Sequence, residues 1–347
     1  MTNWMRTLYL QVLPILGLAF VPASSIARAD DWTVIKANDR PYVTLANVAR
    51  FYQLPEYTQV DGSVSWRSER RVIQAQPGTS EFSINGLRFL SNFPLLKIGD
   101  DDLISVTDLN KIIEPVLRPS RIPTAERIET VILDPGHGGA DQGASCDWGT
   151  EKDFALDVAL MARKELLQAG YRVEMTRSSD VAVSLEDRVA LANGFSHAVF
   201  VSIHFNWYSL PGGAGIESYV LAPEGVRSNA SDEHHPSTQS TQRCAGNTLD
   251  PQNIALTAAI HASVLSRLSL FDRGVRHARF HVLRNIKLPA VLLEGGFISN
   301  PSEGQRIATG EYRQQLAAAI TQGIRNYDAA LNYRSTRRVA SAEPPQN

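Results

Sequence analysis

The chain has 347 residues, 43% of them hydrophobic, which is ample for a sizeable core and more than one typical domain requires. Its formal net charge is only −2, so it has no basic field to draw in phosphate backbones, and nucleic acid is excluded as an expected partner.

Read in chain order, Arg6 precedes a largely apolar stretch from Leu8 to Val21, and Ala27-Arg28-Ala29 supplies the small residues of an Ala-x-Ala cleavage site. This predicts a secretory signal peptide over residues 1–29, since the apolar stretch is short for a bilayer span and contains Pro14. The mature protein, from near Asp30, is expected to be exported, periplasmic or extracellular, with no stable membrane insertion. From residue 30 to 117 short β-type segments, Thr33–Ile35, Arg71–Ile73 and Glu81–Ile84, alternate with the turn signals Asp61-Gly62, Pro77-Gly78 and Asn85-Gly86. Two helix-like pieces interrupt them, Leu45–Phe51 and Val106–Ile113. We expect a small α+β accessory domain without chemistry of its own. Pro119 and Pro123 then favour an extended linker over residues 118–127.

A second, larger domain is expected over 128–333, and it carries the groups with chemistry. There the rhythm becomes strand, helix, strand, helix: a strand at Val131–Leu133, a helix opening at Glu151 and stopping at Gly170, and a strand over Tyr171–Thr176. A helix follows, capped by Ser184 with Asp187 and running to Asn193. Next come a strand into His204, a strand over 214–221, a helix from Ile254 to Leu268, strands at Phe280–Leu283 and Ala290–Leu293, and a closing helix from Glu311 to about Leu331. Such alternation predicts an α/β fold, a mostly parallel sheet with helices on both faces. Residues 225–252 form a polar insertion that could act as a lid, and the tail 334–347 reads as disordered. Cys146 and Cys244 are the two cysteines, and in an exported protein such a pair invites a disulfide.

Three of the apolar runs end in groups that carry chemistry. Val131-Ile-Leu133 leads to Asp134-Pro-Gly-His137, Ala198–Val201 leads to Ser202-Ile-His204, and Ala290–Leu293 leads to Glu294. In an open α/β sheet the carboxyl ends of parallel strands face one crevice, so these groups can meet there. With Glu151, two imidazoles and a carboxylate match the His₂Glu set of a catalytic zinc, one ion per chain, and Glu294 suits the general base. Taken alone, Glu151 reads better as a carboxylate favoured by a helix N-terminus than as a ligand. Asp134 is placed behind the ligands, orienting an imidazole or the turn, and Asn206 beside His204 is placed to bond a ligand or the substrate. His234 and His235, on the polar insertion, are minor candidates for approaching the metal.

Leu133–Gly139, Gly149-Thr-Glu-Lys-Asp153, Thr176-Arg177 with Asp180, Arg188 with Ala192-Asn193, Ser202–Asn206, Gly215-Ile-Glu217, Val282-Leu-Arg284 and Pro289 leading to Glu294–Asn300 together resemble the zinc-dependent N-acetylmuramoyl-L-alanine amidases of the amidase_3 type. The resemblance spans about residues 130 to 328. It implies that His137, Glu151 and His204 bind zinc, that Glu294 is the catalytic carboxylate, and that the bond cut joins the lactyl group of N-acetylmuramic acid to the L-alanine of the peptidoglycan stem. Peptidoglycan is then the partner. Two alternatives stand beside this one, a non-catalytic wall-binding adaptor and a zinc peptidase acting within the stem. With Asn38-Asp-Arg-Pro-Tyr-Val-Thr-Leu45 followed by Ala49-Arg-Phe51, residues 32 to about 117 look like the N-terminal domain shared with copper amine oxidases, without histidines to hold copper. Several members of the amidase family carry a helix after the second histidine strand that covers the zinc until a partner removes it. Here that position holds the segment 225–252, and a regulatory protein partner is left as an open expectation.

Overall fold

The computed structural model describes residues 32–123, 126–209, 213–230, 240–332 and 345. The segment expected to be a signal peptide, His234 and His235, and almost all of the tail lie outside the described residues. In the N-terminal part, β1 (Val34–Ala37) and β2 (Arg40–Thr44) form a hairpin turned by Asn38 and Asp39, both at positive φ, as a tight turn between right-twisted strands requires. Helix α1 (Leu45–Phe51) starts where the Thr44 hydroxyl accepts the amide of Asn47. Strands β3 (Glu56–Val60), β4 (Ser63–Arg67), β5 (Val72–Ala75), β6 (Glu81–Ile84) and β7 (Leu87–Leu90) make an antiparallel meander. Strands β8 (Leu96–Ile98) and β9 (Asp101–Ser105) complete a separate four-stranded sheet with β1 and β2. Helices α2 (Val106–Asp108) and α3 (Glu114–Leu117), joined by a π-helical turn at Leu109–Ile113, end this part. Residues 118–123 are less extended than their prolines predict: Pro119–Arg121 form a 3₁₀ turn, and Arg118 is buried in an ion pair with Glu114.

The large sheet begins with β10 (Thr130–Pro135), followed by the two-residue strands β11 (Ser145–Cys146) and β12 (Gly149–Thr150), which pair apart from it. Then come α4 (Glu151–Gln168), β13 (Arg172–Met175), α5 (Leu185–Asn193), β14 (Ala198–Asn206) and β15 (Ile216–Leu221). The chain finishes with α6 (Asp250–Leu268), β16 (Asp272–Ala278), α7 (His281–Asn285), β17 (Ala290–Phe297), α8 (Pro301–Ile307) and α9 (Gly310–Leu331). Eleven strands lie in the order β13-β10-β14-β17-β15-β16-β7-β6-β5-β4-β3.

The sheet is mixed, which corrects the expectation of a mostly parallel one. Strands β13, β10, β14 and β17 run parallel, but β15 is antiparallel to β17, and the meander beyond β16 is antiparallel throughout. The link from β14 to β15 is shorter than the dozen or so residues a parallel crossover needs, so β15 enters the sheet reversed. A second correction concerns β16, which covers Asp272–Ala278, whereas the residues expected as a strand, Phe280–Leu283, open α7. Arg273 and Arg276 broke the apolar pattern that would have announced β16, and both form ion pairs with the buried Glu217. Asp250–Gln252, counted in the polar insertion, are the first turn of α6.

Helices cover both faces. On one, α4, α6 and α9 pack over Val131, Leu133, Val201 and Leu293; on the other, α5 and α7 pack over Ile132, Phe200, Tyr219 and Leu292. Cys146 packs on the first face and Cys244 on the second, so the sheet stands between them and both thiols are free, correcting the expected disulfide. The Ser184 hydroxyl accepts the Asp187 amide at the start of α5, as its sequence predicts.

His277 on β16 is fully buried where this strand meets the meander, its Nδ1 has no partner among the described residues, and burial pushes its pKa down to about 4. The unfolded chain therefore takes up this proton first as pH falls. Stability is full above about pH 6.5 and drops by roughly 3 kcal/mol as pH approaches 4. In urea titrations at pH 7 and pH 4.5, the wild type is expected to lose clearly more stability than His277→Leu. Equal losses would show that this imidazole does not resist protonation.

Candidate active site

Four local choices build the site. Strand β10 ends at Pro135, and Gly136 donates its amide to the Ile203 carbonyl, which ties the turn to β14. His137 then sits at φ +59°, a region costly for a side-chain-bearing residue, and something must hold it there. Arg188 does so, giving one nitrogen to the His137 carbonyl at 2.7 Å and another to Asp134 and the Pro135 carbonyl. Arg177 adds bonds to the carbonyls of Pro135 and Gly136.

Glu151 occupies the first turn of α4 and is 5% exposed. Its Oε1 lies 3.1 Å from Nε2 of His137 and 2.9 Å from Nδ1 of His204, and also accepts the Phe205 amide. Its Oε2 accepts the Ala144 amide. One ligand atom from each of His137, Glu151 and His204 lies within 4.8 Å of the other two. Burial would raise the Glu151 carboxyl, but the bonds from both imidazoles outweigh it and hold the group far below the usual carboxylate range. Burial likewise opposes protonation of His137, yet Glu151 and Asp141 raise it to about 8. This is a concentrated, anionic nitrogen-and-oxygen donor set of the kind a divalent cation occupies, displacing protons as it binds.

Glu294 stands on β17 in direct register with His204 on the parallel β14, and both line a cleft of about 1030 Å³ with Asp134, Asp141 and Asn206. Asp134 is almost fully buried and accepts from Thr176, Arg188 and Ser202, so it fixes the turn and, among the described residues, bonds no imidazole. Asn206 gives its amide to Glu217 at 2.8 Å while still forming part of the cleft wall. Neither described flank of the polar insertion, 226–230 or 240–249, contributes to that wall.

Sequence reasoning missed three features. Asp141 bonds Nδ1 of His137 at 2.8 Å, four residues along a glycine-rich turn, and that spacing was the available signal. Arg188 and Glu217 stood in the motifs without a role; Glu217 is buried with Arg273, Arg276 and Tyr219 around it, cross-strand from Glu294. Ser218, His261 and Asp272 form a bonded series at 2.8 and 3.0 Å, but Ser218 and His261 are fully buried and none of the three lines the cleft. They brace β15, α6 and β16, and Asp272 also accepts the Arg88 amide of β7.

Residues 131–326, more than half of the chain, match the family described as Amidase_3, N-acetylmuramoyl-L-alanine amidase. The chain belongs to this family. It is 34% identical over 208 residues to the sporulation-specific N-acetylmuramoyl-L-alanine amidase of Bacillus subtilis (strain 168), a match covering 59% of this chain and 69% of that protein. It is 31% identical over 217 residues to the N-acetylmuramoyl-L-alanine amidase AmiA of Escherichia coli (strain K12), covering 57% and 75% respectively. Among solved structures, an N-acetylmuramoyl-L-alanine amidase from Clostridium difficile 630 is similar, at 32% identity, TM-score 0.47, and coverage of 58% of this chain and 97% of that one. The protein is an enzyme, an N-acetylmuramoyl-L-alanine amidase, and its family implies peptidoglycan as substrate. No helix among the described residues is long and apolar enough to cross a membrane.

Proposed function

We propose that this enzyme is an exported, zinc-dependent amidase that cleaves the bond between the lactyl group of N-acetylmuramic acid and L-alanine of the stem peptide. One observation carries it: His137, Glu151 and His204 bring their donor atoms within 4.8 Å of one another in a cleft that Glu294 also lines. Two imidazoles and one carboxylate are a catalytic zinc set, and the Asp141 bond to Nδ1 of His137 leaves Nε2 available as a ligand, a support that such ligands usually have. When bound, zinc supplies Lewis acidity to the scissile carbonyl and lowers the pKa of water to about 7.

The remaining steps belong to the chain's own residues. Glu294 takes the proton of the attacking water and returns it to the departing alanine nitrogen. Arg188, through Asp134 and the His137 carbonyl, keeps the turn in its costly conformation. Within this reading, residues 30–117 are an accessory module, 118–127 a link and 128–333 the catalytic part. Export follows from the leader-like composition of residues 1–29 and from where peptidoglycan lies.

Purified sacculi digested by the enzyme are expected to release stem peptides with a free N-terminal alanine, seen by mass spectrometry, and to stop doing so with a chelator until zinc is restored. Peptides cut within the stem would overturn the assignment in favour of a peptidase, and intact sacculi in favour of a binding role.

A Cβ at Gly136 would lie 2.3 to 2.6 Å from three atoms of the His204 ring. Gly136→Ala is therefore expected to push this imidazole aside and weaken zinc binding by roughly 10–100-fold, measured by competition with a chromophoric chelator. Unaltered affinity would mean that His204 can shift without leaving the metal.

A further inference from the structure

The cleft extends from the His137, Glu151 and His204 group to α7, whose last turn carries Arg284. Other arginines near the site are committed to protein acceptors. Arg188 holds Asp134, Arg177 holds the carbonyls of Pro135 and Gly136, and Arg273 and Arg276 hold Glu217. Arg284 differs from these. It is half-buried in the cleft wall, its Nε is sealed from solvent without an acceptor among the described residues, and no ion pair there holds its guanidinium.

That sealed Nε is out of a ligand's reach, but the two Nη nitrogens are not sealed and bond no acceptor among the described residues, so they face the cleft ready to meet a ligand that accepts from them. The backbone that carries Arg284 is also fixed in advance. Asn193 at the end of α5 donates to the Asn285 carbonyl and accepts the Lys287 amide, pinning α7 on either side of this turn. The other guanidinium in the wall, Arg188, is taken up by Asp134 and the Pro135 and His137 carbonyls, so Arg284 is the one left for a ligand among the described residues.

The substrate's own charge decides what Arg284 meets. On the glycan side of the scissile bond the lactyl carboxyl is consumed in the amide, so carboxylates lie on the peptide side. A guanidinium matches a carboxylate with two parallel N–H bonds. We propose that Arg284 is a specificity-determining residue that binds a carboxylate of the stem peptide beyond the alanine, so that the α7 wall of the cleft is the peptide side.

This inference rests on the amidase reading, and the test separates the two. Three soluble N-acetylmuramoyl peptides serve as substrates: one with free carboxylates on both the residue after alanine and the C-terminus, one amidated at the first of these, and one amidated at the second. The zinc-loaded wild type is expected to show kcat/KM roughly tenfold or more higher on the free acid than on one of the two amides, which identifies the carboxylate. In Arg284→Gln that ratio is expected to fall towards one, and in Arg284→Lys to recover in part. A ratio between substrates is independent of how much of a variant folds. Equal turnover of all three by the wild type, or one common loss on all three in Arg284→Gln, would overturn the proposal. Failure of the wild type to release the muramoyl group from any of them would instead overturn the amidase reading.

Discussion

Replacing Glu294 by glutamine is expected to lower kcat on peptidoglycan by roughly 10²–10⁴-fold while zinc content stays at the wild-type level. The substitution keeps the shape of the side chain and removes the basic oxygen that would accept a proton from water. Because Glu294 is not one of the three grouped donors, the metal set should be untouched. Metal analysis and peptide release, measured on the same preparation, check both halves. A variant retaining a tenth or more of wild-type turnover would remove Glu294 from the proton-transfer role.

The second large effect is expected at Glu151, where alanine should abolish both zinc binding and hydrolysis. This carboxylate is the point on which both imidazoles close, and its two oxygens also accept the amides of Phe205 and Ala144. Deleting it leaves those buried donors without an acceptor, at about 1–3 kcal/mol each, so Glu151→Ala should also be less stable than wild type. Glu151→Gln keeps an acceptor oxygen for one of the two amides and is expected to recover part of that stability without recovering zinc. Urea denaturation and metal analysis separate the two contributions. Full zinc occupancy in either variant would refute the proposed ligand set.

The two histidines and Glu294 were legible because each follows a buried apolar run directly, where a polar group has to be explained. Glu151 was not legible in this way. A carboxylate in the first turn of a helix is ordinary, and only the resemblance of Gly149-Thr-Glu-Lys-Asp153 to a family motif raised it above that. Asp134 was read as a supporting group without a partner, because a sequence gives no distance to Arg188 or Ser202.

Strand direction was hidden for a related reason. A buried strand has the same apolar pattern whichever way it runs, so only the short link before β15 distinguished antiparallel from parallel. Strand β16 was hidden by its arginines, whose partner Glu217 lies on another strand. For Cys146 and Cys244, composition gave a plausible pair, but the sheet between them could not be read from spacing alone.

The pairing of Phe89 on β7 with Val275 on β16 has a consequence for anyone trimming the protein to its family-matched residues. A fragment beginning near residue 128 would expose the backbone donors and acceptors of β16 along one side and strip Asp272 of its bond from Arg88. Such a raw margin invites another chain to add on, and the fragment would tend to self-associate unless a charged or proline-bearing cover were engineered in its place.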